Sequence, residues 1–398
     1  MEQITNYSVQ SSRFPRMVAI SIALYLAASL FHCQAADAGG RVASVEFLDD
    51  QVVLIPAQVF GQTVQLIADT GATLSYLDRS LKDRLGPPVE RGTEVSVFGS
   101  KPGAVAYSGQ PILVGGLRLV PKLLGCQDFA VLSMVSGLRC DGILGMNVLA
   151  DYVVCLDFDQ RRFSLTGKVP EPVRRRALAI PLNEGPNGYT IQASVNGIPI
   201  RLAIDSGSTD FLDLAPDDWE KVLARAEQKN REWGAVADGR GEVRPVAATR
   251  IQAVSVGTNT YTNVIARRST DTNGPSLLGV EFLRQHTTTI DFPGHTVYLL
   301  PGRRFGEAVA YDKSGLHLIK LLEDGAIVVH SVSAGSPAAL SGFRAGDRLV
   351  TLNAKPAQAL GLKGIRKMLR EKDGAEITVE VSRTGETMEF RFKLRTML

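Results

Sequence analysis

The apolar and polar positions of residues 45–300 predict a β-rich structure. Residues 52–68 and 189–204 each contain two runs of β-branched and apolar residues, interrupted by a turn around Gly61 or Asn196-Gly197. Apolar runs separated in this way are typical of β-hairpins. The second predicted strand of each hairpin leads directly into an aspartate, Asp69 or Asp205. Each carboxylate is therefore expected at the mouth of an apolar strand.

The two hairpins belong to an internal repeat. Positions within Val59–Thr73 recur within Val195–Thr209 at one constant offset, that between residues 69 and 205. A later set within Leu144–Leu165 recurs within Leu278–Leu299 at an offset two residues shorter. Each half is therefore one copy of the same unit, and the length difference falls in the loops between matched segments.

The matched aspartates predict one site built from both copies, in the tripeptides Asp69-Thr70-Gly71 and Asp205-Ser206-Gly207. Two carboxyl groups held in contact cannot both ionise cheaply, so they share a proton and titrate as a coupled pair. The ionised member can deprotonate a water while the protonated member donates a hydrogen bond to a scissile carbonyl. The pattern therefore favours hydrolysis by a water activated between two carboxylates.

The repeat resembles the aspartic peptidases of the retropepsin type, with two copies fused in one chain as in the pepsin-like enzymes. The resemblance covers about residues 45–300. It includes an apolar-apolar-Gly motif in each copy, Ile143-Leu144-Gly145 and Leu277-Leu278-Gly279, which implies a strand packed behind each catalytic loop.

The resemblance also implies roles for the residues beside the two catalytic aspartates. Thr70 and Ser206 would link the two loops through their hydroxyl groups and hold the carboxylates coplanar. Gly71 and Gly207 would permit a tight turn and a close approach of the backbone to the reacting groups.

The two loops differ at the next position, where Ala72 corresponds to Ser208. We interpret Ala72 as a lost hydroxyl hydrogen bond to its carboxylate, which would raise the pKa of that carboxylate. This predicts an optimum nearer mildly acidic or neutral pH, and it predicts that Ala72→Ser shifts the acidic limb of the pH profile downward.

Two glycine-rich hairpins, residues 95–107 and 234–243, are similar to the flaps of this family. A flap opens and closes over a bound peptide, and glycines suit that motion. The residues assigned to the flaps and substrate cleft are Gly99, Gly103, Tyr107, Gly239 and Gly241. Two solvent-exposed hairpins without a role in substrate binding, with Tyr107 simply packed, remain an alternative.

A different pattern begins after residue 304. It contains Ser336-Pro337-Ala338 at the start of a short helix, Gly346-Asp347 before a strand, and a C-terminal apolar hairpin. It resembles a PDZ domain of the bacterial protease-associated kind, over about residues 305–398. The resemblance implies that a peptide chain end adds as a strand beside the segment starting at Leu318.

Backbone amides of the preceding loop would hold the terminal carboxylate of that peptide. His317 stands where the family often has glycine, which puts the strength of carboxylate capture in question. The residues assigned to the groove are Gly315, Leu316, His317, Leu318, Ile365 and Leu369. A PDZ domain that only packs on the lobes remains an alternative.

The N-terminus has the order of a secretory signal peptide. Arg13 and Arg16 precede an apolar run over residues 17–31, and small residues follow. We therefore expect a periplasmic or secreted protein with no membrane span in the mature chain. Acylation at Cys33 is less favoured, because His32 stands where such sites need a small residue.

Composition narrows the function further. A net charge of +3 gives no preference for nucleic acid, and the five histidines lack the spacing of metal ligands. We expect no metal and no cofactor. Of the cysteines after the signal segment, Cys126 and Cys140 either form a disulfide or stay unpaired, and Cys155 lies in an apolar run.

The predicted fold class is mainly β, a bilobal pseudo-two-fold peptidase with closed, barrel-like lobes followed by an α+β PDZ domain. The predicted segments are a signal peptide at 1–38, lobes at 45–168 and 177–301, and a PDZ domain at 305–398. The predicted function is an exported aspartic endopeptidase whose PDZ domain recruits chain ends of substrates or partners. A catalytically silent peptide-binding protein is the alternative, although both carboxylates and both neighbouring hydroxyls are retained. Self-association through the PDZ groove is a third possibility.

Overall fold

The computed structural model describes residues 43–49, 51–89, 105–185, 188–224, 231–237 and 243–398, with the backbone alone at 231–237 and 243–245. The predicted signal peptide with Cys33, and the flap residues Gly99, Gly103, Gly239 and Gly241, lie outside these ranges. The predicted mainly β fold with a C-terminal PDZ domain is confirmed.

The strands of the first half form one lobe sheet and part of a joining sheet. Strands β1 to β11 are Ala43–Glu46, Leu54–Val59, Gln62–Ala68, Ser75–Asp78, Ala106–Ser108, Ile112–Val114, Leu117–Leu119, Leu123–Gln127, Gly142–Leu144, Val153–Asp157 and Arg162–Thr166. The lobe sheet has the order β5-β8-β4-β9-β3-β2-β6-β7. The β2–β3 hairpin turns at Phe60 and Gly61, which both have positive φ, as the most favoured two-residue hairpin turn requires.

The second half repeats this arrangement. Strands β12 to β22 are Leu178–Pro181, Asn183–Gly185, Gly188–Val195, Ile198–Ile204, Leu212–Leu214, Arg231–Ala237, Val243–Val256, Asn259–Arg268, Ser276–Leu278, His286–Asp291 and Thr296–Pro301. Its lobe sheet has the order β13-β14-β15-β20-β16-β19-β18-β17. In both lobes the strand that ends at Asp69 or Asp205 pairs in parallel with the strand of the apolar-apolar-Gly motif.

A sheet with the order β1-β11-β10-β21-β22-β12 joins the two halves. Its central antiparallel pair, β10 with β21, aligns Cys155 with Thr289, which are equivalent positions of the repeat. Equivalent residues face one another only on a two-fold axis, so the axis of the pseudo-symmetric molecule passes through this pair.

The C-terminal domain has its own sheet and core. Strands β23 to β28 are Leu316–Lys320, Ile327–Val332, Arg348–Leu352, Lys355–Pro356, Glu376–Arg383 and Glu386–Lys393, with β23 at one edge. The helices among the described residues are α1 to α7, at Ala130–Ser136, Met146–Leu149, Glu171–Arg176, Pro216–Leu223, Val280–Leu283, Pro337–Leu340 and Ala357–Met368, with a 3-10 helix at Arg79–Arg84. The predicted helix after Ser336 is α6, and Ser336 caps it through its side chain.

Candidate active site

The two aspartates occupy equivalent positions at the ends of β3 and β15. The backbone N–H of Asp69 donates to the carbonyl of Leu144 at 2.9 Å, and that of Asp205 to the carbonyl of Leu278 at 2.8 Å. The parallel strands β9 and β20 thus fix where each chain leaves its sheet. Both aspartates remain partly exposed, so solvent reaches the pair.

Each carboxylate is held by the loop that follows it. Asp69 Oδ1 accepts hydrogen bonds from the backbone amides of Gly71 and Ala72, at 2.8 and 3.0 Å. Asp205 Oδ1 accepts from the amides of Gly207 and Ser208, at 2.8 and 3.2 Å. The side chains of the two aspartates also hydrogen-bond to each other, which brings the carboxyl groups of the two halves into direct contact.

The loops brace each other through their hydroxyl residues. Thr70 Oγ1 donates to the carbonyl of Ile204 at 2.7 Å, and Ser206 Oγ donates to the carbonyl of Ala68 at 2.6 Å. Each hydroxyl also accepts the backbone N–H of the other residue at 3.1 Å. These four hydrogen bonds fix the relative position of the two carboxylates, because neither loop can move without breaking bonds to the other.

Only glycine fits beside each carboxyl group. A β-carbon at Gly71 would lie 2.5 Å from Asp205 Cγ, and one at Gly207 would lie 2.5 Å from Asp69 Cγ. Both distances are far inside van der Waals contact. The glycine of each copy therefore makes room for the aspartate of the other copy.

The environment favours a shared proton in the pair. Burial, the charge of Asp205 and the hydrogen bond that protonated Asp69 donates to Asp205 together raise the pKa of Asp69 well above its usual value. Burial also raises the pKa of Asp205, although the hydrogen bond with Asp69 and the loop amides oppose this. One carboxyl can thus stay protonated while the other is ionised, as acid–base catalysis by such a pair requires.

The structure corrects the interpretation of Ala72. The Ser208 hydroxyl donates to Asp213 Oδ2 at 2.8 Å, and Ser208 contacts Asp205 through its backbone amide. Ala72 contacts Asp69 through its amide in the same way. The missing hydroxyl therefore removes no hydrogen bond from the catalytic carboxylate, and the expected effect of Ala72→Ser on the dyad loses its basis.

The Ser208 hydroxyl instead contacts a network of charged side chains that the sequence analysis did not predict. Arg267 Nε lies 3.1 Å from Asp213 Oδ1, and the same guanidinium contacts Asp210. Burial raises the pKa of Asp213 to about 7 and lowers the pKa of Arg267 to about 9. Through Ser208, the loop that holds Asp205 is therefore in contact with the network of Asp210, Asp213 and Arg267.

The repeat contained a signal for this network. The offset that pairs the catalytic aspartates also pairs Asp210 with Leu74 and Asp213 with Leu77. In the structure Arg267 stands beside Asp213 as Cys126 stands beside Leu77, in the equivalent parallel strand pair. A comparison of the two copies position by position would have shown polar residues in the second copy where the first is apolar.

The described flap residue Tyr107 lies on β5, which pairs with β8. Its side chain is 2% exposed and packs in the core of the first lobe, because β5 turns it inward. The structure thus places Tyr107 in the core, as in the alternative of simple packing. The backbone of β17 and β18 forms the predicted second hairpin. Flap function remains a prediction.

The residues assigned to the PDZ groove fall into two groups. Leu316, His317 and Leu318 lie on the edge strand β23, as the resemblance implies, with Gly315 directly before it. Ile365 and Leu369 have no exposed surface and pack in the PDZ core, so they do not form the outer wall of the groove. His317 Nε2 hydrogen-bonds the Ser333 hydroxyl at 2.8 Å, and burial lowers the pKa of His317 to about 4.

Comparisons with known families agree with this geometry. A model of the aspartyl protease family matches residues 55–148 and 191–282, one segment in each lobe. A PDZ domain model matches residues 278–394, and the PDZ sheet itself begins at Leu316. A search of curated proteins found no match. The matches thus identify two aspartyl protease segments of the retropepsin-like type. The chain joins two such segments and carries a PDZ domain at its C-terminal end.

Three further observations concern the described residues alone. No helix among them is long and apolar enough to cross a membrane. They contain no group of three or more His, Cys, Asp or Glu side chains arranged to hold a metal ion. Cys126, Cys140 and Cys155 are free thiols, which corresponds to the unpaired alternative.

Proposed function

We propose that this chain is an aspartic endopeptidase that hydrolyses peptide bonds with a water activated between Asp69 and Asp205. The observation that carries the proposal is the contact of two carboxyl groups from equivalent loops that brace one another. The ionised carboxylate takes a proton from the water, and the protonated partner donates to the scissile carbonyl. The tetrahedral intermediate then collapses with transfer of a proton to the leaving amine.

The loop amides support this chemistry. Gly71 and Ala72 hold one oxygen of Asp69, and Gly207 and Ser208 hold one oxygen of Asp205, so neither carboxylate rotates freely. Fixed carboxylates position the water without a reorganisation cost in the transition state. A silent binding protein would gain nothing from burying two groups whose charges repel.

The test compares wild type with Asp69→Asn and Asp205→Asn on a diverse peptide pool, from about pH 3 to about pH 8. Each substitution should lower cleavage at least about 10³-fold, because an amide cannot share the proton. Asp83→Asn and Asp217→Asn, exposed aspartates of the two lobes, are matched controls that should keep the wild-type rate. Near wild-type cleavage by either dyad variant would refute the proposal, and no cleavage by wild type would favour the silent binding protein.

Export belongs to the same proposal and rests on the sequence of residues 1–38. Expression of the full chain in a bacterial host should yield a periplasmic or secreted protein that has lost this segment. N-terminal sequencing of the fractionated protein is the measurement, and a cytoplasmic product that still begins at Met1 would contradict export.

The PDZ domain suggests peptide partners, and the finer proposal is that its groove recruits the chain ends of substrates. In the structure, however, the groove is next to the first lobe, so recruitment requires that lobe and groove separate. Carboxylate-terminated peptides should therefore bind the full chain only weakly and should bind more strongly when the contact between lobe and groove is weakened, and the absence of binding in both cases would leave the domain a packing role.

A further inference from the structure

Both walls of the PDZ groove contact one segment of the first lobe. Strand β23 is the edge of the PDZ sheet, and α7 forms the opposite wall. Helix α1, Ala130–Ser136, lies against β23. Within the part of the chain that the structure describes, no strand pairs with the outer edge of β23. The helix therefore lies where an added peptide strand would have to lie.

Arg366 on α7 connects the two walls to this helix. Its Nη2 donates to the carbonyl of Leu318 on β23 at 3.0 Å and to the carbonyl of Val135 at 2.7 Å. The last carbonyls of a helix have no partner within the helix, and a cation there is favourable. Burial lowers the pKa of Arg366 to about 10, so the side chain is still charged at neutral pH. Arg366 thus donates hydrogen bonds to a carbonyl of the edge strand β23 and to a carbonyl at the end of α1.

Two further contacts lie on the same side of α7. Gly137, which ends α1 with a φ of 76°, lies against Leu362, because a β-carbon on Gly137 would stand 3.0 Å from Leu362 Cβ. Lys363 Nζ forms a 3.0 Å ion pair with Asp49 Oδ2, and Asp49 is buried in the first lobe. Helix α7 therefore contacts the first lobe through Leu362, Lys363 and Arg366.

The loop expected to bind a terminal carboxylate already has internal partners. The backbone amide of Gly315 donates to Asp312 Oδ1 at 2.7 Å, and the amide of Ser314 donates to the same oxygen at 2.9 Å. The amide of Leu316 donates to Ser314 Oγ at 3.0 Å. The carboxylate of Asp312 thus accepts a hydrogen bond from a backbone amide. In a peptide-binding PDZ domain, that amide would donate to the terminal carboxylate of the peptide.

We propose that the PDZ groove of this protein takes helix α1 of the first lobe as its ligand within the same chain, so that the domain clamps the lobe that carries Asp69. The helix is linked to the catalytic loop by packing. Phe129, which precedes the helix, and Leu132 within it pack in the same apolar cluster as Ala72 and Leu74 of the segment after Asp69. One apolar cluster therefore connects the proposed PDZ ligand with the loop that holds Asp69.

The clamp is localised. Near the end of β23 a cavity of about 500 Å³ lies between the two domains, lined by Asp128, Ser133 and Arg139 on the lobe and by Lys320 and Leu322 on the PDZ side. The contacts of Arg366, Leu362 and Lys363 are therefore the ones to test.

The first test measures amide hydrogen exchange of the full chain by mass spectrometry. Arg366→Ala should raise exchange in residues 130–136 about tenfold, because a charged hydrogen bond to the end of α1 is lost. Lys367→Ala is the matched control, since Lys367 is the exposed next residue of the same helix. Unchanged exchange in residues 130–136 of Arg366→Ala would overturn the proposal.

The second test alters the lobe and measures the PDZ domain. Asparagine tolerates the left-handed conformation of residue 137, so Gly137→Asn adds bulk against Leu362 with little backbone strain. Exchange should then rise in β23, although the PDZ sequence is unchanged. This variant keeps the test valid if Arg366→Ala fails to fold. A β23 that exchanges as in wild type would contradict docking of α1.

A peptide pool separates a clamp from an open receptor. The pool consists of labelled peptides with a free terminal carboxylate and an apolar last residue, and the same peptides with an amidated end are the control. Wild type should bind both pools equally weakly, because the groove is filled. Selective binding of the carboxylate pool by wild type, as strong as by Gly137→Asn, would show an open groove and overturn the proposal.

A kinetic readout rests on the proposed function. If the clamp orders the cleft wall, Arg366→Ala and Gly137→Asn should each lower kcat several-fold, whereas Lys367→Ala should not. The exchange experiments do not depend on cleavage, so a chain without peptidase activity would still confirm or refute the docking. Full kcat in both variants, together with raised exchange in α1, would limit the clamp to a structural role.

Discussion

At the scale of single residues, the contact between Asp69 and Asp205 carries a cost in stability. Burial raises the pKa values of both Asp69 and Asp205, and contact with Asp205 raises that of Asp69 further. A carboxyl with a raised pKa in the folded state holds a proton that the unfolded chain releases. The stability from that proton is complete below the unfolded pKa of about 4 and is lost as the pH rises through the folded pKa.

This predicts that Asp69→Asn stabilises the fold at neutral pH. The free energy of unfolding at about pH 7 should exceed that of wild type by more than the ~0.5 kcal/mol of ordinary surface changes, since no buried charge has to form. At about pH 3 the two proteins should be equally stable, because Asp69 is then protonated in both states. Urea denaturation at both pH values measures this, with Asp83→Asn as control. Equal stability at both pH values would show that burial does not penalise the charge of Asp69.

At the scale of elements, the two copies of the repeat pack differently behind the loops that carry Asp69 and Asp205. In the first lobe, β4 and β8 meet through Leu77 and Cys126, whereas in the second lobe β16 and β19 meet through Asp213 and Arg267. A buried ion pair gains little net stability over apolar packing, but removal of one partner leaves an uncompensated charge.

We therefore predict a non-additive series at this strand pair. Arg267→Leu alone should cost about 3 kcal/mol, because Asp210 and Asp213 lose their cation. Adding Asp210→Leu and Asp213→Leu, which copy the first lobe, should recover most of that loss. Denaturant unfolding of the single and triple variants is the measurement. A triple variant less stable than Arg267→Leu would mean that the charges themselves stabilise the second lobe.

At the scale of the whole molecule, the pseudo-two-fold axis determines how the halves meet. The axis passes between Cys155 of β10 and Thr289 of β21. Cys155 Sγ and Thr289 Oγ1 are 3.7 Å apart. This central sheet and the braced catalytic loops lie at the junction of the lobes. The site therefore depends on the docking of two halves that are far apart in sequence.

A cross-link on the axis should strengthen that docking. Thr289→Cys should form a disulfide with Cys155 under oxidising conditions and stabilise the chain by about 2–4 kcal/mol, because it closes a long loop of the unfolded state. Thiol titration and thermal unfolding report the bond and its effect. Thr288→Cys is the control, since successive strand residues point to opposite faces. A cross-link in the control and none in Thr289→Cys would mean that the register of the central pair is wrong.

The sequence by itself determined the features that repeat or follow local rules. The constant offset paired Asp69 with Asp205, and the turn residues predicted the hairpins. The motifs Ser336-Pro337-Ala338 and Gly346-Asp347 carried the resemblance to a PDZ domain. These signals are local or periodic, so they survive without knowledge of the fold. The family comparison confirmed the two protease segments and the PDZ domain.

Only the tertiary structure determined which partners the side chains of these local patterns contact. Ser208 points to Asp213 rather than to the catalytic carboxylate, and Tyr107 packs in the core of its lobe. Leu362 and Arg366 meet helix α1, whereas Ile365 is turned inward. A side chain finds its partner through the docking of segments that are distant along the chain. Hydrogen bonding and close packing choose among those partners, and no pattern within one segment contains that choice.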